Sequence, residues 1–198
     1  MMLHFLQVPH QEVVYEEGDG PEFNRDCWFG VKESLGLDFP NLPYLVDGDT
    51  RISESTAIYK YIAEKYRPEW LGQSVDERAV VNMVFYATMD VKHLITNTCY
   101  DPRYSELIQA AAARARPTLE RLAQFLESRQ FILGERLSFA DFVLYEVLDM
   151  VSAAVPGLLV SISPVFDKFA QDFRGLAELE DYLKAPRLPF NNKRASFK

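Results

Sequence analysis

Several side chains in the first third of the chain have types suited to holding a small charged ligand. Ser55 lies at a predicted helix start, where its hydroxyl and the free backbone N–H groups favour an anion, helped by the helix dipole. Its neighbour Glu54 is suited to pairing with an ammonium group. Trp28 and Lys32 are four positions apart, so on a helix an indole N–H donor and a positive charge face the same carboxylate. These residues together suit a ligand that carries both signs of charge.

The elements that must position these residues form a mixed α/β segment up to Tyr66. Residues 13–15 and 44–46 are predicted strands, and a turn at Asp47 and Gly48 leads to a third strand at 51–52. A helix is predicted to begin between Ser53 and Ser55, because serine caps open N–H groups. The apolar residues that follow recur at helical spacing: Ile58, Ile62 and Tyr66.

The rest of the chain is predicted to be helical. Pro68 and Gly72 indicate a linker over 67–75, which gives an α/β domain over 1–66 and an all-helical domain over 76–198. Ser138 and Asp141 form a capping box that opens one of the later helices. The predicted helices cover 76–99, 103–129 with Pro117 as its one interruption, 165–173 and 176–183.

Composition excludes several classes of function. The chain has 198 residues and a net charge of -8, which argues against nucleic acid or an anionic membrane as the main partner, because both require basic clusters. No apolar run is long enough to span a bilayer, and residues 1–8 lack the basic flank of a signal peptide. A reducing, cytoplasmic location is therefore expected. The two cysteines, Cys27 and Cys99, form no metal or thiol motif.

Two longer segments carry a specific resemblance. WFGVKESLGLDFPNLPYLVDG at 28–48 and ISESTAIYKYIA at 52–63 closely resemble the glutathione-binding segments of mu-class cytosolic glutathione transferases. The likeness continues through 89–90, 99–102, 138–141 and the helix at 175–176, so it covers nearly the whole chain. It implies the glutathione-transferase fold, a thioredoxin-like α/β domain followed by an all-α helical bundle.

The resemblance implies a role for each residue of the glutathione site. Ser55 would bind the γ-glutamyl carboxylate and Glu54 the ammonium. The glycyl carboxylate would be bound by Trp28, Lys32 and Asn41. Leu42, before a cis Pro43, would pair its backbone with the cysteinyl residue. Taken singly, each of these residues has an ordinary alternative as a cap, a core residue or a solvated charge, and only their joint spacing favours a site.

Three further residues are assigned by resemblance. Asp90 resembles an acid that reaches the ammonium of glutathione bound to the partner of a dimer, and a solvated helix aspartate is the open alternative. Tyr100 resembles a tyrosine of the electrophile pocket, and a plain wall residue is its alternative. Phe39 resembles the aromatic residue that inserts into the partner subunit, which implies a homodimer.

The chain departs from the family pattern at its start. Family members begin with a strand whose tyrosine hydroxyl stabilises the glutathione thiolate, whereas residues 1–8 here resemble the end of the following helix. Roughly 15 to 20 residues are missing by this comparison. No residue matches the catalytic tyrosine, so the catalytic group is unknown. Tyr15, His4 and His10 are the nearby polar candidates for a substitute.

Several interpretations stay open. The chain is an enzyme that joins the glutathione thiol to a small electrophile, with glutathione as co-substrate and neither cofactor nor metal. Alternatively it is a weakly active or structural homologue that binds glutathione. The start is an alternative or misassigned one, or residues 2–8 rearrange into the missing strand. In the absence of that strand, residues up to about Asn24 are expected to depart from the family arrangement, and the electrophile is not specified by the sequence.

Overall fold

The computed structural model describes residues 1–186 and 189–197. A single β-hairpin supplies the strands of this part of the chain. Strand β1 (Tyr44–Asp47) pairs antiparallel with β2 (Thr50–Ser53), and Asp47 lies opposite Thr50. The turn places Gly48 at φ 60°, a left-handed conformation that glycine adopts without steric cost. The predicted hairpin is confirmed.

Helix α3 (Ser55–Tyr66) follows the hairpin directly, which confirms the predicted helix. It buries Ile58 and Ile62 as their spacing predicts, together with Ala63, whereas Tyr66 is only half-buried. It is fixed to the hairpin by two side chains that meet the Asp47 carboxylate. The Tyr61 hydroxyl donates to Asp47 at 3.0 Å, and the Lys65 ammonium forms an ion pair with the same oxygen. This attachment holds α3 against the hairpin.

The first 24 residues differ from the strand prediction. Residues 13–15 form no strand, and Val13 and Val14 are more than half exposed. Apolar β-branched residues form a strand only beside a neighbour, and β1 is paired on one edge alone. Residues 2–8 do not become that neighbour, because Met2–Phe5 forms the short helix α1. The interpretation of 13–15 as a strand is therefore wrong.

The helical part packs around one helix, Phe139–Ala154, most of whose residues are buried. The helices are α4 (Val75–Cys99), α5 (Tyr104–Leu126), α6 (Phe139–Ala154), α7 (Leu158–Ile162), α8 (Val165–Arg174) and α9 (Glu180–Lys184). Pro117 lies inside α5 without ending it. The core of α6 is aromatic: Phe142 makes edge contacts with Phe173 and packs against Trp70. The predicted helices at 76–99, 103–129 and 165–173 are confirmed, whereas 176–183 is a 3₁₀ turn (Ala177–Leu179) followed by α9.

The capping box that begins α6 is complete and fully buried. The Asp141 carboxylate accepts the N–H of Ser138 at 2.7 Å, the Ser138 hydroxyl at 2.7 Å and the N–H of Ile132 at 2.9 Å. Burial raises the pKa of Asp141 to about 6, although these donors act in the opposite direction. The predicted cap is confirmed.

The segment between the two parts is a 3₁₀ turn (Pro68–Leu71) and carries a buried anchor. Trp70 is 5% exposed and lies between Phe5 of α1, at 5.4 Å between ring centroids, and Phe142 of α6, at 4.9 Å. It therefore joins the α/β part to the helical part by packing. No helix within the described residues is long and apolar enough to cross a membrane.

Candidate functional site

The N-terminus of α3 offers an uncommitted set of donors. Ser55 is the first helical residue, so the N–H groups of the first turn have no acceptor within the helix. In the described part of the chain the Ser55 hydroxyl has no hydrogen-bond partner either. Glu54 precedes it with φ 68°, which turns the backbone sharply into the helix and leaves the carboxylate exposed. Hydroxyl, free N–H groups and helix dipole favour an anion here, and Glu54 beside them favours a cation.

Trp28 and Lys32 occupy two different short elements. Helix α2 (Asp26–Phe29) carries Trp28, and Lys32 begins a separate 3₁₀ turn (Lys32–Ser34). The expectation that one helix carries both residues is wrong, because the α-helix ends at Phe29. The Lys32 ammonium lies 3.3 Å from the Glu33 carboxylate and 5.4 Å from the Phe29 ring centroid. Its charge is thus partly compensated by an exposed neighbour.

The loop before β1 has the backbone expected at Leu42. The Leu42–Pro43 peptide bond is cis. The Leu42 N–H, however, donates to the Asn41 side-chain oxygen at 2.9 Å, so this donor already has a partner. The Ser53 hydroxyl donates to the carbonyl of Phe39 at 2.5 Å, which ties the loop to β2. In this conformation the Asn41 side chain therefore stabilises its own loop.

An aromatic cluster, formed by Trp28, Tyr15 and Tyr44, lies beside this loop. The Trp28 ring stacks on Tyr44 at 6.0 Å and meets the edge of Tyr15 at 5.2 Å. The two phenol oxygens are 2.9 Å apart. This hydrogen bond, and secondarily burial, raises the pKa of Tyr44. No sequence pattern connects the two tyrosines, which lie 29 positions apart, although Tyr44 belongs to the segment at 28–48 that carries the family resemblance.

The other polar candidates lie elsewhere. His4 packs against Tyr182, with ring centroids 5.3 Å apart, and His10 is exposed with Nδ1 2.8 Å from the Val8 carbonyl oxygen. Asp90 is an exposed residue of α4. Neither histidine therefore joins the aromatic cluster.

Tyr100 lies just after the end of α4 and is contacted by the C-terminal segment of the chain. Its hydroxyl accepts the N–H of Asn192 at 3.1 Å, so its own proton stays available for donation. Phe39 is 77% exposed, which makes it the most exposed large apolar side chain of the described residues. An aromatic ring in this position is suited to insertion into another surface.

Comparisons with known proteins bear on this arrangement. The family model described as "Glutathione S-transferase, N-terminal domain" matches residues 1–64, and "Glutathione S-transferase, C-terminal domain" matches residues 89–186. "Glutathione S-transferase 2" of Gallus gallus and "Glutathione S-transferase Mu 1" of Oryctolagus cuniculus are each 35% identical over 187 residues, which is 94% of this chain and 84% of theirs. The crystal structure of the glutathione S-transferase Blo t 8 superposes with a TM-score of 0.88 at 26% identity, covering 99% of this chain and 91% of that one.

The chain therefore belongs to the glutathione S-transferase family. Identity of about 35% over nearly the whole length places it with the mu class. The fold follows the same assignment, a thioredoxin-like α/β part with a two-stranded sheet and an all-helical C-terminal part.

Proposed function

We propose that this chain binds glutathione at the N-terminus of α3, in the thioredoxin-like domain proposed for residues 1–66. The observation that carries the proposal is the uncommitted Ser55 hydroxyl above a helix N-terminus, with Glu54 beside it. A γ-glutamyl group carries a carboxylate and an ammonium, and these two residues match it charge for charge. Trp28 and Lys32 would bind the glycyl carboxylate.

The loop residues complete the proposed glutathione site. Leu42 would pair its backbone N–H and C=O with the cysteinyl residue. Its own N–H must first leave Asn41, and the freed Asn41 amide would then reach the glycyl carboxylate. Binding by this route requires a small local rearrangement of residues 41–42.

The reaction that we propose is attack of the glutathione thiol on a small electrophile bound near Tyr100. The thiolate is the nucleophile, so the rate depends on how far the protein lowers the thiol pKa. Tyr100 would donate its free proton to the electrophile. We assign no residue as the catalytic group that stabilises the thiolate, and no cofactor or metal enters the proposal.

A second candidate function is glutathione binding with little or no turnover. The phenol pair favours it, because the Tyr15 and Tyr44 hydroxyls bond to each other and the pKa of Tyr44 is raised rather than lowered. The hydroxyl that donates in this pair has no proton left for a thiolate. The chain would then retain the fold and the binding site without the chemistry.

One experiment separates the two candidates. The protein is passed over immobilised glutathione, and the eluted fraction is assayed for conjugation of a chlorinated nitrobenzene. Retention together with turnover supports the transferase, and retention without turnover supports the binding protein. Failure to be retained would contradict both.

Assembly and location complete the proposal. We propose a cytoplasmic homodimer in which Phe39 of one subunit inserts into the helical domain, residues 76–198, of the other. The exposure of Phe39 supports this arrangement. Asp90 would approach the ammonium of glutathione bound to the partner subunit, which is compatible with its exposed position on α4.

A further inference from the structure

Residues 193–197, the basic run, have the residue pattern of a kinase substrate. Lys193 and Arg194 lie three and two positions before Ser196, and Phe197 follows it. Basic residues at these two positions suit the acidic substrate groove of a basophilic serine kinase, because complementary charges attract and orient the segment. Ser196 is the only serine or threonine of the sequence with basic residues at both positions. The proposed glutathione site uses none of these residues.

Three side chains of the basic run lie at the surface. Ser196, Lys193 and Arg194 are exposed. The Lys193 ammonium lies 2.8 Å from the Asp19 carboxylate. The Arg194 guanidinium lies 2.8 Å from the Glu17 carboxylate. The Asp19 side chain is 90% exposed and that of Glu17 only 11%, so the pair with Glu17 is the stronger of the two.

The backbone of the basic run is docked on the end of α4. The Ser196 N–H donates to the carbonyl of Cys99 at 2.8 Å, and its hydroxyl donates to the carbonyl of Asp101 at 3.1 Å. The Phe197 ring stacks on Tyr104 with centroids 5.6 Å apart. A groove that reads successive side chains requires an extended, accessible segment. The basic run must therefore leave α4 before a kinase can act on it.

We propose that Ser196 is a phosphorylation site and that its phosphorylation releases residues 191–197 from the end of α4. The phosphoryl donor is a nucleoside triphosphate. The Ser196 Oγ attacks the γ-phosphorus, the bond from this phosphorus to the diphosphate breaks, and the hydroxyl proton passes to a carboxylate of the kinase. The serine then carries a charge of about -1.5 to -2 at pH 7.

The docked position of the Ser196 side chain disfavours a phosphate. The hydroxyl donates there to a backbone carbonyl, and an ionised phosphate has acceptor oxygens in place of this donor. Helix α4 ends at Cys99, so the negative end of its dipole lies at the same place. Phosphorylation therefore removes a hydrogen bond and adds repulsion.

The positive group nearest in sequence is already engaged by a carboxylate. Asp101 accepts the N–H of Arg103 at 2.8 Å and pairs with the Arg103 guanidinium at 3.2 Å. The hydrogen bonds from the Arg103 side chain and N–H lower the pKa of Asp101, which is therefore charged at neutral pH. A phosphate on Ser196 would meet this carboxylate as a second anion. Repulsion between the two favours the released state.

The site is tested with the purified full chain, ATP and the catalytic subunit of cyclic-AMP-dependent protein kinase, which selects basic residues before serine. We expect a single phosphate by intact mass and fragment spectra that assign it to Ser196. The Ser196→Ala variant should take up none. Ser105→Ala is the matched control and should be phosphorylated like the parent, because Ser105 is exposed but has a basic residue only at the second position before it.

Hydrogen exchange tests the release. In the phosphorylated chain the amides of 192–196 should exchange at least about tenfold faster than in the unmodified chain, because their docking bonds are lost. The Glu17→Gln variant weakens the pair with Arg194 and keeps the kinase motif, so it should be phosphorylated about threefold faster than the parent. Glu22→Gln, an exposed position of the same loop, is its control and should match the parent. Neither measurement involves glutathione, so neither depends on the proposed function.

Three results would overturn the proposal. Absence of phosphate on the parent, or phosphate on Ser105 in place of Ser196, would remove the site. Unchanged or slower exchange of 192–196 after phosphorylation would mean that the phosphate takes Arg103 from Asp101 and keeps the segment docked. Equal phosphorylation rates of Glu17→Gln and the parent would mean that the kinase reaches the basic run without its release.

Discussion

Ser55 is the residue on which the proposed binding chemistry depends most directly. Its hydroxyl has no partner in the described chain and lies at a helix N-terminus. We expect Ser55→Ala to weaken glutathione binding by about 1 to 3 kcal/mol, because it removes a hydrogen bond to a charged carboxylate. Calorimetry with Ser105→Ala, a change at an exposed position of α5, as the matched control would measure this. Equal affinity of both variants would place the carboxylate elsewhere.

Tyr15 is the phenol next to the proposed site that could be mistaken for a catalytic group. Its hydroxyl is engaged with Tyr44 at 2.9 Å. We expect Tyr15→Phe to leave the rate of chloronitrobenzene conjugation nearly unchanged, relative to the parent and to Tyr44→Phe. If Tyr15 were the partner of the thiol, the loss would be about 100-fold or more, since proton-transfer groups contribute on that scale.

The capping box of α6 is the element whose stability depends on pH. Burial raises the pKa of Asp141 to about 6, above about 3.9 in an unfolded chain. Between these values the folded state binds more protons, so the Asp141 contribution to stability is complete below pH 4 and declines as pH rises towards and through 6. The Asp141→Asn variant lacks this titration. The unfolding free energy of the parent minus that of the variant should fall from pH 4 to pH 7 in denaturant titrations, and a rise would mean that the three donors outweigh burial.

Residues 13–15 and strand β1 differ in their backbone hydrogen bonding, which predicts that their amides differ in protection from hydrogen exchange. Residues 13–15 make no ladder bonds, whereas β1 is bonded to β2. Amides of 13–15 should therefore exchange near the unprotected rate, and the β1 amides that face β2 should exchange more slowly. Mass spectrometry of peptic fragments measures both segments in one experiment. Equal, strong protection of the two would contradict the unpaired state of residues 13–15.

Sequence reasoning succeeded for elements that are specified by near neighbours. The cap of α6 depends on Ser138 and Asp141, three residues apart, and the hairpin on a turn at Gly48, so local patterns were sufficient. Residues 13–15 have strand-like composition, but a strand exists only beside another strand, and composition does not report neighbours. The separation of Trp28 from Lys32 depends on where α2 ends, and element ends are the least predictable feature.

The candidate site was predictable only in part for a similar reason. The positions of Ser55 and the cis bond at Leu42 were anticipated, because both belong to contiguous segments with a family resemblance. The contact between Asn192 and Tyr100 joins residues 92 positions apart and has no motif. The contact between Tyr15 and Tyr44 was likewise not predictable from the sequence. Contacts of this kind follow from tertiary packing, which one sequence does not display.

At the scale of the whole molecule the exposed Phe39 is the basis of the assembly prediction. We expect the parent protein to sediment as a homodimer and Phe39→Ser to shift the equilibrium towards monomer, because one buried aromatic anchor can dominate an interface. Val160→Ser, an exposed apolar position on α7, is the control and should sediment like the parent. A monomeric parent would remove the basis for the proposed roles of Phe39 and Asp90 across the dimer.

The two tryptophans give the molecule two separate optical reporters. Trp28 stacks in the aromatic cluster beside the proposed glutathione site, and Trp70 is wedged between α1 and α6 where the two parts of the chain meet. Each single-tryptophan protein, made by replacing the other with phenylalanine, would emit from one location only. Emission from Trp28 would then report the binding of a ligand, and emission from Trp70 would report loss of packing between α1 and α6, so that binding and unfolding could each be followed without any added label.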